Sequence, residues 1–314
     1  MRVLVSDRIA DEAIELLKEH ADVDVHEYSH DELLSCIKDY DALIVRSRTK
    51  VTRDVIEQGE KLKVIGRAGV GVDNIDVTEA TKHGIYVVNA PLGSTYSVAE
   101  LALGHMLSLA RRLPDANTSM KAGLWEKKKL KGVELYGKTL GIIGFGRIGQ
   151  EVGRRAKAFS MDILVYDPYL NERAVREIGV RPVELKELLE KSDFITIHAL
   201  LTEETRHMIS EDELRSMKPS AYLVNCARGG IVDEDALYRA LAEGWIAGAA
   251  LDVFENEPPK DSKLLTLSNA YFTPHIGAST ADAQRRAGMT TAEQVIKVLN
   301  GEKPDFLVNP EVIA

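Results

Sequence analysis

Three side chains in this sequence have the chemistry to move a proton and hold an anion together. Arg228 lies in NCARGG, Glu257 in LDVFENEP and His275 in TPHIGAST. Each follows an apolar run of strand length, at residues 221–224, 247–251 and 270–273. Ligands of an open parallel sheet bind beyond the carboxyl ends of its strands, so a cation, a carboxylate and an imidazole would meet there. Such a set suits hydride transfer at a 2-hydroxy acid. The imidazole moves the hydroxyl proton. A carboxylate beside it orients the ring and favours its charged form. The guanidinium holds the substrate carboxylate and polarises the carbonyl. Taken singly, each has a plainer role: a surface cation, a loop carboxylate, a hydrogen-bonded structural histidine. Spacing alone leaves both readings open.

A second pattern supplies what such chemistry needs. Gly144, Gly146 and Gly149 stand as G-x-G-x-x-G between an apolar run, 140–143, and a periodic segment, 148–159, that reads as a helix. Gly144 makes the tight turn, Gly146 lets the backbone approach a pyrophosphate, and Gly149 lets the helix pack on the strand. Another strand follows at 162–166 and ends in Asp167, eighteen residues past Gly149. A carboxylate there accepts from ribose hydroxyls and repels a 2′-phosphate, and Pro168 and Tyr169 offer no cation for one. NAD is therefore expected over NADP. A ligand-free β-α-β unit is the plainer alternative, but the strand, helix and terminal acid all fit a dinucleotide site.

The elements that must carry these groups form two alternating series. In residues 1–92, strand-like runs at 3–5, 23–25, 42–45, 63–65 and 86–88 alternate with helical faces such as Ile9, Ile14, Leu17 and Leu33, Leu34, Ile37. Residues 93–277 repeat the alternation, with strands at 194–197, 221–224, 247–251 and 270–273. A final helix covers 281–299, and 305–314 is expected to return to the first domain. The expectation is an α/β protein of two doubly wound parallel sheets: a discontinuous flavodoxin-like substrate domain, 1–92 with 278–314, and a Rossmann domain, 93–277. Ser97 with Glu100 and Ser210 with Glu213 read as capping boxes. The helix 97–113 is apolar on most sides, which predicts a homodimer contact with Trp125 and Lys127 reaching the neighbouring subunit. The plainer readings are burial within the chain and a solvated loop for the lysine run 127–131.

Arg46 and Arg48 flank Ser47 right after the run 42–45, and Arg67 follows the next strand. Residues two apart on an extended chain share one side. By composition this is a solvated basic edge. At the carboxyl end of a sheet it becomes a grip for a substrate phosphate, since arginine supplies fixed paired donors. Arg46, with Ser47 and Arg48 or Arg67, would then hold the phosphate while Arg228 holds the carboxylate.

Composition bounds the rest. The 314 residues are 45% hydrophobic and 28% charged, enough for two globular domains. The net charge of −9 argues against a nucleic-acid partner. The most apolar stretch, 98–110, carries Glu100 and His105 and is too short to span a bilayer. Two cysteines, Cys36 and Cys226, are too few for a disulfide framework, which fits the cytoplasm. MRVLVSD reads as a first strand, with no signal-peptide pattern. The histidines form no metal set, and there is no C-x-x-C or G-x-S-x-G.

The motifs RSRTKVTRDVI, GRAGVGVDNID, NAPLGSTYSVAEL, GKTLGIIGFGRIG, VNCARGGIVDEDAL, GAALDVFENEPP and TPHIGAST together resemble the D-isomer-specific 2-hydroxyacid dehydrogenases, from about residue 3 to 309. The nearest resemblance is to members that oxidise a phosphorylated hydroxy acid with NAD at the start of serine biosynthesis. The resemblance implies Arg228, Glu257 and His275 as catalytic residues, with His275 the proton donor in ketone reduction. It also implies NAD contacts from Arg147, Ile148, Asp167, Cys226, Asp252 and the segment His275, Gly277, Ala278, with Val70 nearby. Three positions depart from common family patterns: Val70 where threonine is frequent, Ala199–Leu200 where Thr-Pro or Val-Pro is, and Ser160 where glycine ends a helix. A serine forced to positive φ there is expected to carry mild strain. Many members add a C-terminal regulatory domain; with the sequence ending at Ala314, no feedback of that kind is expected. Two alternatives remain: a reductase of hydroxypyruvate or glyoxylate, whose pocket needs no arginine cluster, and an NAD-responsive binding protein of the corepressor type.

Overall fold

Short, mostly apolar runs build two all-parallel sheets in a computed structural model of the chain, which describes residues 1–313. They belong to two units, Met1–Thr95 together with the segment from Ala278 onward, and Tyr96–Gly277. In the first unit, β1 (Arg2–Val5), β2 (Asp22–Val25), β3 (Ala42–Val45), β4 (Val64–Arg67) and β5 (Tyr86–Asn89) pair in the order β2-β1-β3-β4-β5. This is the flavodoxin-like order. All four residues of β3 are buried, as a central strand covered on both faces requires. Strand alternation sends Leu4, Leu43 and Ile65 to one face and Val3, Val5, Ile44 and Val64 to the other. The helices α1 (Asp11–Lys18), α2 (His30–Cys36), α3 (Arg53–Gln58) and α4 (Val77–Lys82), with the late helix Ala281–Leu299, cover these faces.

The late helix sits directly on β4. A Cβ at Gly66 would lie 2.7 Å from Thr291 Cγ2 and 2.8 Å from Val295 Cγ2, so only glycine permits this approach. Beyond the helix the chain runs back along β5, where Val88 bridges Leu307. The buried Asn309 side chain then fastens it. Its Oδ1 accepts from Val87 N–H at 2.8 Å, and its Nδ2 donates to Ile85 O and Thr81 Oγ1.

The second unit opens with α5 (Thr95–Arg111) and α6 (Leu113–Lys121). Here the sequence expectation needs two corrections. The helix begins at Thr95, so Ser97 lies inside it and is not a cap. It also breaks at Arg112, which is left-handed at φ 51, and Pro114 in the first turn of α6 has no N–H to continue the ladder. The apolar face of α5, including Ala99, Ala102, Met106 and Ala110, is buried in this unit's own core.

Then come β6 (Thr139–Ile143), α7 (Arg147–Ala158), β7 (Asp162–Tyr166), α8 (Glu172–Ile178), β8 (Arg181–Pro182), α9 (Leu185–Lys191), β9 (Phe194–Ile197), α10 (Glu211–Ser216), β10 (Tyr222–Asn225), α11 (Glu234–Ala242), β11 (Gly248–Leu251) and β12 (Ala270–Phe272). The strand order β12-β11-β10-β9-β6-β7-β8 is the doubly wound order of a dinucleotide fold with one added strand. β8 was missed in the sequence because it has two exposed residues, one a proline, at a sheet edge. Ser160 is indeed left-handed at φ 57, after the C-cap Phe159 of α7. At the start of α10, Ser210 N–H donates to Glu213 as the expected capping box requires. No helix among the described residues is long and apolar enough to cross a membrane.

Candidate active site

Arg228, Glu257 and His275 follow β10, β11 and β12, three adjacent strands, at their carboxyl ends. The structure pairs two of them: His275 Nδ1 lies 2.7 Å from Glu257 Oε2. The other Glu257 oxygen accepts from Phe254 N–H at 3.2 Å. With Nδ1 engaged, the outer nitrogen Nε2 is the one left to exchange a proton. The Arg228 turn is pressed onto the loop that carries Glu257. A Cβ on Gly229 would lie 1.9 Å from Phe254 O. Asn225 Nδ2 ties the same turn by donating to Arg228 O at 2.9 Å.

His275 holds a left-handed backbone, φ 51, which costs a residue with a Cβ of order 1 kcal/mol or more. Asp252 stabilises that turn. Its buried carboxylate accepts from Ile276 N–H and Gly277 N–H, each at 2.8 Å, and from the Thr273 hydroxyl at 2.5 Å. His105 Nε2 lies 3.1 Å from Thr273 Oγ1; because the Thr273 hydroxyl donates to Asp252, the imidazole is the donor in this contact, and burial holds His105 below the usual histidine range. Asp252, expected as a cofactor contact, is thus engaged with its own chain. His105 and Thr273 were not singled out from the sequence. His105 sits in α5, 168 residues from Thr273 along the chain, and only the fold brings it to β12.

The geometry around Gly144 fits a dinucleotide. This turn lies between β6 and β9, where the connections leave the sheet in opposite directions and a crevice opens. A Cβ on Gly144 would lie 2.6 Å from Ala199 N, and one on Gly149 would lie 2.2 Å from Gly144 O. A Cβ on Gly146 would meet nothing within 4 Å, so the space before α7 is open. Among the described residues no side chain caps α7, and its Gln150 N–H bonds Gly146 O. The first-turn amides, at Arg147, Ile148 and Gly149, are those that an anion would satisfy. Asp167 is oriented at the edge of this space by Phe145 N–H at 2.7 Å and Tyr169 N–H at 2.8 Å. Cys226 is buried, and burial pushes its thiol up and out of reactivity. His198, after β9, shares one ring nitrogen with Thr196 Oγ1 at 3.0 Å, while its buried Nδ1 has no partner among the described residues. Burial pushes this imidazole down to about 3, so it is neutral.

In the first unit, Asp7 organises the arginine loop after β3. Its buried carboxylate accepts from Arg46 N–H, Thr49 N–H and the Thr49 hydroxyl. The Arg48 guanidinium is spent on the same scaffold: Nη2 donates to Ser6 O at 2.6 Å, Nη1 to Tyr28 O, and Nε pairs with Asp7 at 3.0 Å. Arg46 and Arg48 therefore do not act as one fork. The Arg46 side chain makes no hydrogen bond or ion pair among the described residues, and Ser47 beside it is exposed. Arg67 folds back over Gly69, where a Cβ would strike its Nη1. Asn74 Nδ2 holds the loop by donating to Arg46 O and Thr49 O. Val70 O accepts from Asn89 Nδ2 at 2.6 Å. Asp7 and Asn74 escaped the sequence reading. The position of Asp7 at the end of the first strand was the available signal. Of the remaining NAD contacts implied by resemblance, Gly277 closes the second unit and Ala278 begins the return to the first.

Comparison with known proteins agrees with this architecture. Residues 103–277 match the family described as D-isomer specific 2-hydroxyacid dehydrogenase, NAD binding domain. A D-3-phosphoglycerate dehydrogenase of Methanocaldococcus jannaschii is 57% identical over 311 residues, covering 98% of this chain but 59% of that protein, so the chain spans under two thirds of that relative. A hydroxypyruvate reductase of Thermotoga maritima is 52% identical over 303 residues, covering 95% of this chain and 98% of that protein. Among solved structures, a glyoxylate reductase from Paecilomyes thermophila superposes with a TM-score of 0.89 at 32% identity, covering 99% of this chain and 98% of that one.

Proposed function

The chain belongs to the D-isomer-specific 2-hydroxyacid dehydrogenase family, and from that premise we propose that it is an NAD-dependent D-3-phosphoglycerate dehydrogenase. It would interconvert 3-phosphoglycerate and 3-phosphohydroxypyruvate, the entry to phosphorylated serine biosynthesis. The observation that carries the chemistry is the 2.7 Å pair between His275 Nδ1 and Glu257. In oxidation, His275 Nε2 takes the hydroxyl proton while Glu257 stabilises the imidazolium that forms. In reduction the same nitrogen returns it. Arg228 holds the substrate carboxylate and draws charge toward the carbonyl oxygen. The amides at the start of α7 and the Asp167 carboxylate would hold NAD, which when bound supplies the hydride acceptor. The unpaired Arg46 beside Ser47 supports a phosphate on the substrate.

Hydroxypyruvate reduction is the second reading, favoured by the identity to the bacterial reductase. Turnover of 3-phosphohydroxypyruvate and hydroxypyruvate with NADH separates the two. A parent that prefers the unphosphorylated acid defeats the phosphoglycerate assignment.

The protein is further proposed to act as a cytoplasmic homodimer. Leu113, Met120, Leu124, Trp125 and Tyr136 leave an apolar surface after α5, with Trp125 80% exposed, and a second copy would cover it. Light scattering that finds a monomer at working concentration would defeat this.

A further inference from the structure

Behind Glu257 two other acidic residues exchange backbone-to-carboxylate hydrogen bonds. Glu255 N–H donates to Glu234 Oε1 at 2.6 Å, and Glu234 N–H donates to Glu255 Oε1 at 3.2 Å. Glu234 is the first residue of α11, with Asp233 as its cap. Glu255 lies between the end of β11 and Glu257. His207 Nε2 stands 3.1 Å from the same Glu255 oxygen. On its far side this loop is packed against Gly229, and its Phe254 N–H holds Glu257 Oε1. The short loop that presents Glu257 is therefore held from two directions, by the Arg228 turn and by the first turn of α11.

Such a contact is not a cheap way to fold. Burial holds Glu234 above the usual carboxylate range, and the charges of Glu255, Asp235 and Glu257 add to the effect. A carboxylate kept charged against burial and like charges costs stability that a neutral side chain would avoid. The helix N-terminus and the two donated N–H groups offset part of that cost. Local costs of this kind persist where a geometry must be fixed. We propose that Glu234 and Glu255 form a latch that fixes Glu257 and, through it, the His275 ring, which makes Glu234 a positioning residue for proton transfer. This rests on the hydroxy-acid activity proposed above.

The test uses steady-state kinetics of the full chain with NADH and the 2-keto acid that the parent reduces best. Glu234→Ala removes the acceptor for Glu255 N–H. Glu234→Gln keeps an acceptor oxygen without the charge. Asp235→Ala, on the exposed side of the same helical turn, is the control. The latch predicts a kcat at least tenfold lower in Glu234→Ala, with NADH affinity within twofold of the parent. Glu234→Gln should recover most of the rate, and Asp235→Ala should match the parent. A Glu234→Ala kcat within twofold of the parent overturns the proposal, as does a Glu234→Gln variant equally impaired. Should Glu234→Ala fail to bind NADH, Glu255→Ala is judged by the same criteria. A parent that turns over no 2-keto acid defeats the activity reading instead. The latch is then judged from the downfield Nδ1–H resonance of His275 at low pH. That signal must be present in the parent, lost in Glu257→Ala and Glu234→Ala, and retained in Glu234→Gln; its survival in Glu234→Ala overturns the latch.

Discussion

His275 Nδ1 stands 2.7 Å from Glu257 Oε2, while His275 itself turns through a left-handed backbone pinned by Asp252. The ring is thus fixed at both ends, by its side-chain partner and by its own main chain. Glu257→Gln keeps a group of the same shape but removes the charge opposite the imidazolium. A hydrogen bond to a charged partner is worth about 1.5–3 kcal/mol, so kcat/KM for keto-acid reduction should fall roughly ten- to a hundredfold. His275→Ala should lose turnover almost wholly while NADH still binds by fluorescence titration. Unchanged kinetics in Glu257→Gln would leave the carboxylate without a role in proton transfer.

Arg46 has its backbone fixed by Asp7 and Asn74, and its side chain has no partner among the described residues. That is the arrangement for receiving an anion without first breaking a contact. Arg46→Ala should lower kcat/KM for 3-phosphohydroxypyruvate by roughly ten- to a hundredfold, the value of one charged contact of about 1.5–3 kcal/mol. Turnover of hydroxypyruvate should change little. Arg48→Ala should instead lower the melting temperature, because its guanidinium bonds Ser6 O and pairs with Asp7. Equal losses on both substrates in Arg46→Ala would rule out a phosphate role.

Asp167 predicts cofactor choice. Its two oxygens are held by Phe145 and Tyr169 amides, which fixes a negative charge at the end of β7. A 2′-phosphate there meets repulsion and forfeits ribose hydrogen bonds worth on the order of 1.5–3 kcal/mol each. Calorimetric titration should show NADH binding at least tenfold tighter than NADPH. Comparable affinities would contradict the assignment.

His198 predicts a pH dependence of stability. Burial lowers its native value to about 3, against about 6.5 for an exposed histidine. Between these values the unfolded chain binds a proton that the native chain refuses, so stability falls as pH falls through that window. The slope is at most about 1.4 kcal/mol per pH unit. Chemical denaturation of the parent and of His198→Gln at pH 7 and pH 4.5 should show the parent losing more stability on acidification. Parallel losses would mean that His198 is not buried neutral.

Much of this was legible in the sequence, for physical reasons. The central strands are short, buried, mostly apolar runs, and the glycine turn has its spacing dictated by backbone approach, so both could be read locally. So could the placement of Arg228, Glu257 and His275, since each lies in the loop after a strand. What escaped depends on the third dimension. Whether Arg48 faces solvent or folds onto Asp7 is decided by a residue about forty positions away, in the loop after another strand. The start of α5 at Thr95 overrode a capping pattern at Ser97 that was locally valid. The Glu234–Glu255 contact left no local signal, because neither residue is unusual in its own segment.

The seating of the late helix on β4 at Gly66 has a consequence for biosynthesis. The face of the first sheet that carries Val3, Ile44 and Val64 is covered in part by Ala292 and Val295, which leave the ribosome only after the whole second unit. The second unit is one unbroken stretch and has all its strands in hand by then. It should therefore acquire protected amides first, while the nascent first sheet keeps a bare apolar flank that invites chaperones or aggregation until the last helix docks.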